Sequence, residues 1–217
     1  MTTRLVRTSL TDGERSMAER FRKKRFDLLQ ATFPQLAHHR VLDLGGTASY
    51  WMRSPARPKH VVVVNFEEQP RDLPPWLEAH RGDACDLPSE VADQQFDLVF
   101  SNSVIEHVGG HERRLRFAES VDALAPRHWV QTPNHWFPIA PHFLAPGVQH
   151  LPVGLRARVL RSWPLVHTPP VDRRGAMAIA LETQLLSRSE LAYYFPGSRI
   201  VRERVAGLTK SLVAVRT

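Results

Sequence analysis

Arg40-Val41-Leu42-Asp43-Leu44-Gly45-Gly46-Thr47 reads as a short buried strand that runs into a turn free of bulky side chains. A second strand follows, His60-Val61-Val62-Val63-Val64-Asn65, continuously apolar and β-branched, as expected of a parallel strand covered on both faces. A third short strand ends near Gly82-Asp83. The fourth spans Phe96 to Phe100 and is followed by Ser101-Asn102 and a helix beginning near Val104 and continuing over 111–124. His128-Trp129-Val130-Gln131-Thr132 forms a fifth, stopped by Pro133. Strands that alternate with helical stretches imply βαβ units with right-handed crossovers. Near the end, 200–205 and 208–215 are joined only by Ala206-Gly207, too short for anything but an antiparallel hairpin. The expected fold is therefore α/β: a doubly wound, seven-stranded, mostly parallel sheet with a C-terminal antiparallel hairpin.

Outside these strands the chain has a predicted helix over 14–33, with Met17, Phe21, Leu28 and Leu29 as its apolar stripe and Arg20, Arg22, Lys23, Lys24 and Arg25 as a basic face. Eight of the 17 prolines fall between Pro133 and Pro170, together with His135, Trp136, His142, His150 and Trp163. That stretch is too proline-rich for regular sheet and too aromatic for a flexible linker. It reads as an insertion with short helices near 153–162. Ser187 and Glu190 have capping-box spacing for a helix through about Tyr194. The whole, 1–217, is expected to be one domain with an N-terminal helical segment over 1–39 and an insertion over 133–180 that covers the acceptor site.

With 217 residues, 42% hydrophobic and 24% charged, the chain is long enough to bury a full core. One cysteine, Cys85, allows no disulfide within the chain, and the N-terminus lacks the apolar core of a secretory signal. No run approaches the roughly 20 apolar residues of a membrane span. A cytoplasmic location is expected. The net charge of +7 divides into +5 over residues 1–40, −5 over 41–150 and +7 over 151–217. An acidic centre between basic ends is not the single basic stripe of a nucleic-acid binder.

In order along the chain, 41–47, 61–65, 82–88, 96–102 with Val104-Ile105-Glu106-His107-Val108, and Gln131-Thr132-Pro133-Asn134 resemble the motif set of class I S-adenosylmethionine-dependent methyltransferases. The likeness covers 40–134, and the closing hairpin extends it to the end. The Gly-Gly-Thr turn with Trp51 downstream is similar to bacterial, actinobacterial-type saccharide O-methyltransferases. The resemblance implies S-adenosyl-L-methionine as cofactor, held by Asp43, Gly45, Gly46, Thr47, Asn65, Phe66, Asp83, Ala84, Ser101 and Asn102. Within that set Asp43 would attract the cofactor amine, and Asn65, where an acidic residue is usual, would accept from the ribose, with Glu67 as its substitute. Phe66 would cover the adenine, and Asp83 with the Ala84 amide would bind its edge.

Methyl transfer to an alcohol needs alignment and a place for the proton. Glu106, His107, His135 and His142 are the candidate catalytic groups. Glu106-His107 resembles the Glu-x-x-Glu-His metal segment of small-RNA 2′-O-methyltransferases and some ubiquinone-pathway O-methyltransferases, but Ser103 stands at its first position. Three readings stay open: Glu106, His107 and His142 holding Mg2+ or another divalent metal, a metal-free histidine base, or a structural Glu-His pair. The segment from Thr132 to His142 resembles an insertion of bacterial enzymes that modify polysaccharides and glycolipids. Trp136, Phe137 and Trp163 would suit a sugar platform. The expected function is O-methyl transfer to a saccharide or related hydroxylated metabolite, with a small-molecule or oligosaccharide acceptor. An RNA or other small-molecule methyltransferase and a noncatalytic module are the alternatives, and a homodimer is left open.

Overall fold

The computed structural model describes residues 17–166 and 170–217, with side chains from Lys23 onward. Residues 14–16 of the predicted N-terminal helix, the side chains of Met17, Arg20, Phe21 and Arg22, and Pro169 of the insertion lie outside the described residues. The chain forms two compact units. One comprises Phe33–Phe137 and Thr183–Thr217, the other Pro138–Glu182 with the N-terminal segment through Thr32.

In the first unit, β1 (Arg40–Leu44), β2 (His60–Asn65), β3 (Leu77–Arg81), β4 (Leu98–Asn102) and β5 (His128–Pro133) run parallel. The hairpin β6 (Arg199–Val205) and β7 (Leu208–Arg216) closes the sheet, with β7 antiparallel to β5. The order β3-β2-β1-β4-β5-β7-β6 puts β1 beside both β2 and β4. The chain therefore reverses its direction of winding between those neighbours, which opens a crevice beyond the strand C-termini. The tetravaline of β2 is 0% exposed along its length, so both faces of the strand are covered and an uninterrupted apolar run costs nothing in solubility. Helix α4 (His111–Leu124) buries Phe117, Ala118, Val121 and Leu124 at helical spacing against this core. In numbering the helices, α1 is Met17–Thr32, α2 Ala48–Met52, α3 Ser89–Ala92, α5 Val153–Ser162, α6 Arg173–Glu182 and α7 Arg188–Tyr194.

The capping box forms as expected at α7: Ser187 Oγ accepts from the Glu190 amide and Glu190 Oε2 accepts from the Ser187 amide at 2.7 Å. The helix expected from Val104 does not start there. Residues 104–110 are turns, and α4 begins at His111 after Gly110. Left-handed backbone at Ser103 (φ 60°) and Gly109 (φ 113°) cannot continue a right-handed helix, which accounts for the delay. In the second unit α5 covers the expected helical stretch. Helix α6 is an addition, and among the described residues of the second unit's proline-rich segment only a two-residue ladder, Ile139–Ala140 against Ala145–Pro146, is sheet-like. Among the described residues no helix is long and apolar enough to cross a membrane.

The β6–β7 turn has φ 48° at Ala206 and 82° at Gly207, the two positive values of a type I′ turn. Gly207 meets that demand without strain, whereas the alanine Cβ crowds its neighbouring carbonyl. Ala206→Asn is expected to stabilise the protein by roughly 1 kcal/mol, read as a higher urea midpoint with an unchanged slope.

Candidate functional site

The glycine turn after β1 is built around a buried carboxylate. Asp43 is 0% exposed, accepts a 2.7 Å hydrogen bond from Trp51 Nε1, and is bonded by the Gly46 amide. A Cβ placed on Gly46 would overlap that carboxylate, so the position must be glycine for want of space. Gly45 is glycine for two other reasons. Its φ is 79°, and a Cβ there would collide with Val104 across the turn. Thr47 caps α2, its Oγ1 accepting from the Tyr50 amide at 3.3 Å. Trp51 in turn packs edge-on against Phe100 of β4, with centroids 5.2 Å apart. Burial raises the Asp43 carboxyl to a pKa of about 7, against the lowering effect of its two donors.

The second wall comes from the end of β2. Asn65 Nδ2 donates to the carbonyls of Gly45 (3.0 Å) and Gly46 (2.6 Å), and its Oδ1 accepts from the Glu67 amide at 2.9 Å. Phe66 projects into solvent, 64% exposed. Asp83 accepts from Arg113 Nη2 with both oxygens, at 2.8 and 2.6 Å, and from the Cys85 amide at 2.9 Å. The same Arg113 donates from Nε to the Val108 carbonyl, tying the wall that carries Asp83 to the loop after β4. The Cys85 thiol is buried and pushed up to about 11, chiefly by desolvation, which leaves it without nucleophilic character.

Between these walls lies a cleft of about 450 Å3. Gly45, Asn65, Phe66, Asp83, Ala84 and His107, all singled out from the sequence, line it. Asp43, Gly46, Thr47, Ser101 and Asn102 do not form its lining. Ser101 is buried and donates to the Leu44 carbonyl at 2.9 Å, stitching β4 to β1. The lining also includes Glu67, Ser103, Val104 and Val108. Ser103 holds a left-handed conformation and donates from both its hydroxyl and its amide to Gln131 of β5, at 2.9 and 3.0 Å. Strained backbone of this kind gathers at functional sites.

Glu106 and His107 point to different surroundings although they are adjacent. Glu106 is 0% exposed; its Oε2 accepts from Thr132 Oγ1 at 2.9 Å and its carbonyl from the Gln184 amide at 3.0 Å. His107 is exposed in the cleft wall. His135 follows β5, its amide bonded to the Leu186 carbonyl and its ring edge-on to Trp136, 4.9 Å between centroids. Trp136 is 68% exposed. His142 belongs to the other unit, where its ring lies 6.4 Å from that of Phe143.

The glycine turn after β1, the end of β2 beside it and the crevice at the switch point lie within residues 42–130, which match the family described as the methyltransferase domain. No curated protein matches the chain. Solved structures share its fold at low identity. An S-adenosylmethionine-dependent methyltransferase from Mesorhizobium loti superposes with a TM-score of 0.54 at 15% identity, over 88% of this chain and 96% of that one. The N-terminal domain of EvdMO1, crystallised with S-adenosylhomocysteine and D-fucose, gives 0.52 at 14%, over 89% and 81%. An O-methyltransferase family protein from Burkholderia thailandensis gives 0.52 at 12%, over 91% of this chain; the chain spans 57% of that protein's length. The likeness is one of fold.

The raised pKa of Asp43 sets a test of the site's foundation. A carboxyl at about 7 when folded, against 3.8 when free, holds its proton more tightly in the native state. Its burial therefore costs little near pH 4, destabilises increasingly as the pH rises from there to about 7, and levels off above that. Asp43→Asn keeps an acceptor for Trp51 and removes the charge. Relative to the parent, the variant is expected to gain roughly 2–3 kcal/mol more stability at pH 8 than at pH 5, measured by urea unfolding. An equal change at both pH values would count against a titrating buried carboxyl.

Proposed function

We propose that the chain transfers a methyl group from S-adenosyl-L-methionine to a hydroxyl of a saccharide or related hydroxylated metabolite. The observation that carries this reading is an exposed imidazole, His107, in the wall of a cofactor-sized cleft that also presents Gly45, Asp83 and Phe66. At about 450 Å3 the cleft falls within the usual range for cofactor sites, and Gly45 leaves the backbone open to close approach. When bound, the cofactor supplies an electrophilic methyl on its sulfonium. In this assignment Asp43 sits behind the turn and favours the cofactor ammonium through the Gly46 backbone. Phe66 covers the adenine, and Asp83, steadied by Arg113, faces its amine. Glu67 accepts from the ribose hydroxyls, because the Asn65 amide is engaged with the glycine turn.

An alcohol attacks only as its proton departs, so the acceptor oxygen needs a base within reach. His107 would take that proton from the acceptor hydroxyl, and the cofactor, when bound, would supply the methyl carbon with its sulfide as leaving group. Glu106, held by Thr132, fixes the turn that carries His107. His135 and Trp136 offer a polar group beside an aromatic face, the pairing that recognises a sugar ring. The D-fucose present with the similarly folded EvdMO1 domain supports a saccharide acceptor. A divalent metal is the second route to hydroxyl activation, favoured by a buried carboxylate next to a cleft-facing histidine; Glu106 and His107 would be its ligands from the sheet unit.

Excess S-adenosylhomocysteine at ~100 times its Kd is expected to stabilise the protein by roughly 2.7 kcal/mol, seen in thermal unfolding, while NADH does nothing. His107→Ala should keep that shift and lose roughly 10²–10⁴-fold in turnover with sugar hydroxyl acceptors, followed by mass. Unchanged turnover would remove His107 from the mechanism. Loss of activity on chelation, restored by Mg2+, would move the assignment to the metal route.

A further inference from the structure

The helical unit carries the whole net charge of the protein. Residues 1–32 and 138–182 hold 13 basic and 6 acidic side chains, whereas the sheet unit holds 16 of each. Part of this excess is gathered at one place. A groove of about 400 Å3 between α5 and α6 is lined by Arg158 and Arg161, one turn apart on α5, and by Arg173 at the start of α6. Its floor is apolar, from Leu155, Ala157, Ala176 and Met177. All three arginines are exposed, and among the described residues none of them meets a carboxylate. Asp172, the nearest acid in sequence, is occupied in capping α6, its Oδ1 accepting from the Gly175 amide at 2.7 Å. Arg156, the remaining arginine of α5, is engaged with the Ala180 carbonyl at 3.1 Å and forms no part of the lining.

Three guanidinium groups around one groove repel each other unless an anion joins them. Guanidinium presents paired N–H donors that match phosphate oxygens, and a groove of this volume accommodates a small molecule whose apolar part rests on the floor. We propose that the α5–α6 groove is a binding site for a phosphate-bearing ligand, with Arg158, Arg161 and Arg173 on the phosphate. The site lies wholly within the helical unit and stands independently of the methyl-transfer reading. The same phosphate chemistry is offered by a soluble phosphate ester and by a phospholipid headgroup.

The test uses the full chain, the triple variant Arg158→Gln/Arg161→Gln/Arg173→Gln, and the corresponding triple lysine variant. Calorimetric titration with pyrophosphate is one arm. Co-sedimentation with phosphatidylcholine vesicles, with and without phosphatidylglycerol, is the other. Binding in either arm, weakened at least tenfold in the glutamine variant and less in the lysine variant, supports the site; the arm that responds identifies the source of the phosphate. Binding in neither arm, or binding that the glutamine variant retains, overturns it. The thermal shift with S-adenosylhomocysteine is expected to be the same in all three proteins, which confirms folding and keeps this outcome separate from the fate of the cofactor assignment.

Discussion

The structure of the sheet unit depends on a carboxylate placed where solvent cannot reach it. Asp43 sits in β1, an interior strand of the sheet, fully buried, with Trp51 Nε1 and the Gly46 amide as its donors. Several features follow from this one placement. Gly46 can carry no side chain because the carboxylate fills the space. The helix after the turn must bring Trp51 back over β1, and Thr47 caps that helix so that it starts at once. Trp51 then packs on Phe100 of β4, which joins the turn to the neighbouring strand. Burying an acid in this way is unfavourable at neutral pH, and its retention in the centre of a core marks a position kept for something other than stability.

Much of the fold was legible because its signals are local. A run of four valines between His60 and Asn65 admits few readings other than a strand buried on both sides. Ser187 and Glu190 announce a helix start with three residues of spacing, and Ala206-Gly207 leaves room only for a tight turn. What escaped was either non-local or masked by composition. The delay of α4 to His111 turns on a left-handed Ser103, and nothing about serine in a sequence foretells that backbone; its hydrogen bonds to Gln131, 28 residues away, hold it there. Helix α6, rich in alanine, stands just after Pro169-Pro170, and the prolines weighed more heavily in the reading than the helix formers behind them.

The cleft shows the same division. Gly45, Phe66, Asp83 and Ala84 are reached through the resemblance of the strand-end motifs to a known set, and in the structure they line one cleft, where the strand ends of a doubly wound sheet converge at its switch point. Their partners could not be found in that way. Arg113 grips Asp83 across 30 residues of sequence, from α4. Val104 and Val108 enter the lining because the segment is a turn instead of the first helical turn.

Asn65 shows how a departure from a familiar pattern acquires a physical cause. At this strand end the expected residue is a carboxylate, which can only accept hydrogen bonds. Here the side chain faces the carbonyl oxygens of Gly45 and Gly46 at 3.0 and 2.6 Å. A carboxylate in that position would set negative charge against two acceptors, so the amide is the side chain the turn requires. Its remaining oxygen is turned to the Glu67 amide, which brings the next acidic residue into the cleft lining. Asn65 thus closes the glycine turn through its amide donors, and Glu67 places a carboxylate in the cleft lining.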